Sequence, residues 1–197
     1  MGAFTTREEW LRTAVTKLEV HLVEKTGHRM PEKWAVTCGW PLGSRKAIGQ
    51  CFDPKTSRAG VTEMFISPEL DDPVRVLDVL LHEMVHAAVG CEHKHGRVFA
   101  RAARACGLEG PLTATTAGDA LREVLERIAA DLGEYPHSAV DKLFGPKKNK
   151  GGQWPTYISP VDPTYRVQVR TSALEEHGPP ICPISGDMMV PSQGRNR

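Results

Sequence analysis

Long apolar runs are missing from this chain. No stretch approaches the ~18 consecutive apolar residues of a membrane-spanning helix, so that class of protein is excluded. The opening residues, Met1-Gly2-Ala3-Phe4-Thr5-Thr6-Arg7-Glu8-Glu9, contain no apolar signal-peptide core. An excess of one charge is missing too: 25 basic residues stand against 24 acidic ones. Global, nonspecific attraction to nucleic acid is therefore not signalled, although local patches remain available. Paired cysteine spacing is absent as well. The five cysteines (Cys38, Cys51, Cys91, Cys106, Cys182) are odd in number. With the missing signal core, this predicts reduced thiols in a cytoplasmic protein. At 197 residues the chain holds one core of ordinary size, or one domain with a small appendage.

What is present centres on Leu80-Leu81-His82-Glu83-Met84-Val85-His86-Ala87-Ala88, the pattern H-E-x-x-H inside an apolar, helix-forming run. On a helix, side chains four residues apart share one face, so His82 and His86 project one turn apart and reach one cation together. Their nitrogens suit Zn²⁺, which binds imidazole at ~2.0–2.1 Å. Glu83 lies one step round the same helix, where a carboxylate serves as general base without being a ligand. Val76, Leu77, Val79, Leu80 and Leu81 anchor this helix in a core.

The flanking chain predicts an α+β fold. Thr6 and Glu9 form a capping box, and Leu11, Ala14, Val15, Leu18 and Leu22 continue a helical stripe to about Gly27. His21 and His28 read as a surface and a loop histidine. Residues 34–40, 48–52 and 61–67 read as three strands of a small antiparallel sheet, an edge of which is open to an extended peptide, with the third strand one candidate for that edge and not the favoured one. Asp71-Asp72-Pro73 starts the metal-motif helix, which runs to about Val89 and stops at Gly90. Asp78 reads as a solvated acidic residue.

For a third ligand His95 is favoured, since it precedes Gly96 and a new helix carrying Val98, Phe99, Ala102, Ala103 and Cys106. A ligand at a helix start is aimed back at the first two, and glycine removes a side chain that would crowd it. Glu109, Glu123 and Glu126 are the competing source, as in sites of two histidines and one glutamate. His93 and Phe65 are candidate substrate contacts. Arg97, Arg101 and Arg104 recur at i, i+4 and i+7. They form either a solvated face or a strip that contacts nucleic-acid phosphates. Thr116-Ala117-Gly118-Asp119 opens a capped helix carrying Leu121, Val124, Leu125, Ile128, Ala129 and Leu132 up to Gly133. This closes a first domain, 1–135. A basic, glycine-rich and proline-rich linker follows at 136–152, then a short β-like tail at 153–197 with Trp154, Tyr157, Tyr165, Val167 and Val169.

Three segments together resemble the SprT-like family of zinc metallopeptidases: Phe65-Ile66-Ser67-Pro68-Glu69-Leu70, the H-E-x-x-H helix, and His95-Gly96-x-x-Phe99. The resemblance covers roughly residues 30–135. It implies a zincin-like fold with one catalytic Zn²⁺ on His82, His86 and His95, and Glu83 as catalytic base. It also implies a bacterial or phage-infected cell, and protein or peptide substrates, some of them associated with DNA. Relatives often end in a zinc ribbon with paired C-P-x-C motifs. Here those places read Ser159-Pro160-Val161-Asp162 and Cys182-Pro183-Ile184-Ser185, leaving one cysteine of four. The expected tail is ribbon-shaped, binds no zinc, and is held by its aromatic and valine side chains. The leading function is a zinc-dependent endopeptidase that hydrolyses peptide bonds with metal-activated water. The alternative is a DNA- or protein-binding accessory module whose zinc is mainly structural. The oligomeric state is not legible.

Overall fold

The computed structural model describes residues 4–42, 47–140 and 154–192. The chain divides into two compact units, Met1–Lys142 and Leu143–Arg197. The lysines at 147–150, which dominate the expected linker, lie outside the described residues.

The first unit opens with helix α1 (Arg7–Thr26), whose start follows from local chemistry. Thr6 accepts from the Glu9 backbone, and the Glu9 side chain answers the cap backbone in a complete capping box. The helix ends at Gly27, which takes the left-handed conformation at φ 73°. Its expected stripe is buried. His21 belongs to that buried face rather than to the surface: its Nε2 lies 2.9 Å from the Cys106 carbonyl oxygen, which satisfies the ring inside the core.

Three strands follow, β1 (Trp34–Cys38), β2 (Gly49–Phe52) and β3 (Thr62–Ile66). They form a sheet in the order β1-β3-β2. The sheet is mixed, not antiparallel: β2 runs antiparallel to β3, but β1 pairs parallel with it. The third strand is also central rather than at an edge. Thr62, Met64 and Ile66 are all buried, whereas β1 buries only Val36 and β2 buries none. The best-covered strand takes the middle, and β2 is left as an edge.

Helix α2 (Pro73–Val89) carries the H-E-x-x-H pattern. Asp72 caps it through the Arg75 backbone, proline occupies the first turn, and Gly90 ends it. It packs on β2 and β3 on one side and on α1, α3 (Arg97–Ala105) and α4 (Asp119–Leu132) on others. Surrounded so, it buries Asp78, which is ion-paired with Arg75 rather than solvated. Burial raises the Asp78 carboxyl above the usual range, against the pull of Arg75.

Before α4, Thr116 and Ala117 are taken into a short ladder, β5 (Thr116–Ala117) against β4 (Leu108–Glu109). Thr116 therefore does not cap α4, whose N-cap is Gly118 with no side-chain bond. The first unit extends past residue 135. His137 Nε2 lies 2.9 Å from the Pro68 carbonyl, and the Val140 amide donates to the same oxygen at 2.8 Å.

The second unit holds a three-stranded antiparallel sheet, β6 (Thr156–Ile158), β7 (Arg166–Gln168) and β8 (Val190–Pro191), in the order β7-β6-β8. A short helix, α5 (Thr171–His177), interrupts what the sequence pattern presents as a purely β tail. The expected aromatic packing is corrected: Trp154 and Tyr165 are exposed, and the small interior is built from Cys182, Met189 and Ser159. The Cys182 thiol donates to the Ser159 hydroxyl at 3.2 Å, which also accepts from the Asp162 amide at 3.0 Å. No helix among the described residues is long and apolar enough to cross a membrane.

Candidate metal centre

His82 and His86 project from one face of α2, as their spacing requires, and the chain then returns a third ring to them. After Gly90 it makes one tight turn through Cys91–His93, and Lys94 adopts a positive φ of 45°. That reversal aims His95 back at α2. A Cβ on Gly96 would stand 2.9 Å from the His93 carbonyl, so glycine is required where the turn closes.

The three rings meet through the same atom. His86 Nε2 is 3.2 Å from His95 Nε2, and His95 Nε2 is 3.3 Å from His82 Nε2. A tetrahedral cation with bonds of ~2.0–2.1 Å has ligand–ligand edges of about 3.3–3.4 Å. The observed separations fit that edge. Among the described residues this is the one group of three or more His, Cys, Asp or Glu side chains placed to hold a metal ion. Glu109, the nearest rival in sequence, instead lies against Gly118, and Glu123 and Glu126 are exposed.

The surroundings prepare the rings for that task. His82 Nδ1 is 2.7 Å from the hydroxyl of buried Thr115, which orients the ring and leaves Nε2 facing the other two. Phe99, fully buried on α3, forms an apolar floor. It stacks on His86 with centroids 4.0 Å apart and meets His82 and His95 at 4.9 and 5.1 Å. Burial first, then the neighbouring His95 and Arg75, pushes His82 down to about 4. Burial, with His82 and His95, takes His86 down to about 3, and burial lowers His95 as well. All three imidazoles are neutral at pH 7, the form that donates a lone pair to a metal.

Glu83 is buried beside them, and burial followed by the nearby Cys91 raises its carboxyl to about 8. The Cys51 backbone N–H bonds to it and opposes that rise. Gly49 makes room: a Cβ there would come within 2.5 Å of Glu83 Oε1 and 2.6 Å of Val79 Cγ1. A cleft of about 460 Å³ opens over these groups, walled by residues 47–51 of the edge-strand segment on one side and Thr113–Thr115 on the other. Arg75 and Lys94 also line it.

The structure thus brings His82, Glu83, His86 and His95 together. It does not bring His93, which is exposed and outside the cleft, nor Phe65, which packs edge-on against Phe52 at 5.1 Å. Arg97, Arg101 and Arg104 are exposed on α3 and do not line the cleft. Arg104 is also engaged locally, donating to the Leu108 and Gly110 carbonyls at 3.0 and 2.7 Å. Sequence reasoning missed Thr115 and Gly49. A glycine inside a strand signals close backbone approach, and Gly49 carried that signal; Thr115 carried none.

Comparison with protein-family models, with curated proteins and with solved structures finds no match to this chain.

Proposed function

We propose that this chain is a zinc-dependent endopeptidase in which Glu83 acts as general base. On this reading the SprT-like and zincin resemblance reflects the function, and the compartment is the reducing cytoplasm that five free cysteines suit. The observation that carries it is the convergence of three neutral imidazole nitrogens, 3.2 and 3.3 Å apart, beside a buried carboxyl in an open cleft.

His82, His86 and His95 would hold the ion. Zn²⁺ bound there supplies Lewis acidity, lowering the pKa of a water from about 15.7 towards ~7 and polarising a carbonyl. The charge of a cation held beside it would favour the ionised form of Glu83 over the protonated one that burial favours, and the Glu83 carboxylate then takes a proton from the attacking water and returns it to the leaving amine. β2 is an edge strand that lines the cleft, so an extended peptide can lie along the cleft beside it as an added strand. That favours a polypeptide over a small-molecule substrate. A structural zinc site normally has four protein ligands, and the cluster here has three, which argues against the accessory-module reading. Proteins bound to DNA are the finer proposal; the family resemblance and the exposed Arg97 and Arg101 support it.

Digestion of an unfolded protein and of a DNA-bound protein by the zinc-loaded chain tests the proposal against Glu83→Gln. We expect the variant to keep its zinc and lose roughly 100-fold or more in rate. Undiminished cleavage by zinc-loaded Glu83→Gln would contradict it.

A further inference from the structure

Two of the five free cysteines meet at the cleft wall. Cys51 on β2 and Cys91 in the turn after α2 place their sulfurs 3.1 Å apart, across 40 residues of chain, and both line the cleft. A disulfide needs 2.03–2.05 Å, so about 1 Å of approach closes the bond. The approach falls on a favourable segment. Cys91 begins a three-residue turn whose next residues, Glu92, His93 and Lys94, are all exposed. The remaining thiols are placed elsewhere: Cys106 is buried in the core, Cys182 bonds to Ser159, and Cys38 lies 3.4 Å from an Arg7 nitrogen.

We propose that Cys51 and Cys91 are a reversible redox pair, oxidised by a hydroperoxide to a disulfide that ties the edge strand to the turn leading to His95. One sulfur gives up its proton and attacks the peroxide oxygen. The O–O bond breaks, leaving a sulfenic acid and, from hydrogen peroxide, one water. The second sulfur then attacks the first, the S–O bond breaks, and the hydroxyl leaves as a second water with the remaining thiol proton. Two thiols lose two electrons and the peroxide gains them. A dithiol reductant reverses the change by exchange. The bond spans functional parts on both sides: the Cys51 backbone holds Glu83, and Cys91 lies four residues before His95. Oxidation therefore fixes one wall of the cleft against the segment that delivers the third imidazole.

Peptide mapping of the full chain after hydrogen peroxide treatment, alkylated under denaturing conditions, tests this without reference to cleavage. We expect alkylatable thiols to fall from the five free cysteines to three, with a Cys51–Cys91 cross-linked peptide that dithiothreitol removes. Cys51→Ser and Cys91→Ser should each abolish the cross-link and drive the surviving thiol to sulfinic acid, while Cys38→Ser leaves the cross-link intact. Five alkylatable thiols after treatment, or cross-links that join other cysteines or two chains, would overturn it. The wild-type map decides the matter even where a variant fails to fold.

Discussion

Gly49 and Glu83 illustrate how single residues set the chemistry. An alanine methyl at Gly49 has no room, since it would sit 2.5 Å from Glu83 Oε1 and 2.6 Å from Val79. Glu83 would have to turn away while the three imidazoles stay in place. Gly49→Ala should cost roughly 100-fold in peptide cleavage with zinc content unchanged, because a displacement of about 1 Å is enough for such a loss. Glu83 itself also has a cost in the metal-free protein. Burial raises its folded pKa from 4.5 to about 8. Between those values the folded state holds a proton that the unfolded chain has released, so this stability is complete below pH 4.5 and lost as pH rises through 8. Metal-free Glu83→Gln should melt higher than its parent at pH 8, by roughly 10 °C, with the gap closing towards pH 5. A gap of the same size at both pH values would contradict the burial account. At this scale the sequence was legible where spacing alone decides placement. His82 and His86 had to share a face, and Glu83 had to follow them. Exposure that depends on distant packing is not legible: Asp78 and His21 look like surface residues until the helices around them are known.

Helices declare their ends locally, and strands do not declare their neighbours. The Thr6 capping box, the Asp72 cap, and the stops at Gly27, Gly90 and Gly133 were all readable. The order β1-β3-β2 was not, because alternation of buried and exposed residues says nothing about which strand lies alongside or in which direction. Thr116 looks like a helix cap in the sequence for a related reason, since only the fold shows that a short ladder claims it first. Helix α3 has a double task that its short sequence only hints at. It follows His95, and its Phe99 forms the floor on which His86 stacks at 4.0 Å. Phe99→Ala removes a fully buried ring, and chemical denaturation should show a loss of about 3–5 kcal/mol. Weakened zinc retention in competition with a chelator should accompany it. Full stability and full retention together would show that the floor is dispensable.

Across the whole molecule, the core cluster and every member of the candidate metal centre belong to the unit Met1–Lys142. The second unit has Ser159, Asp162, Cys182 and Ser185 at the places where the family resemblance would put four ribbon cysteines. The one thiol there is already engaged with Ser159. Cys51 and Cys91 lie in the cleft but outside the triad. The chain should therefore bind one zinc ion, through nitrogen and not sulfur. X-ray absorption at the zinc edge of the stoichiometrically loaded protein tests that most directly. We expect one ion per chain with nitrogen and oxygen neighbours at ~2.0–2.1 Å and no sulfur shell. A sulfur shell at ~2.3 Å, or failure to take up an equivalent of zinc, would contradict it.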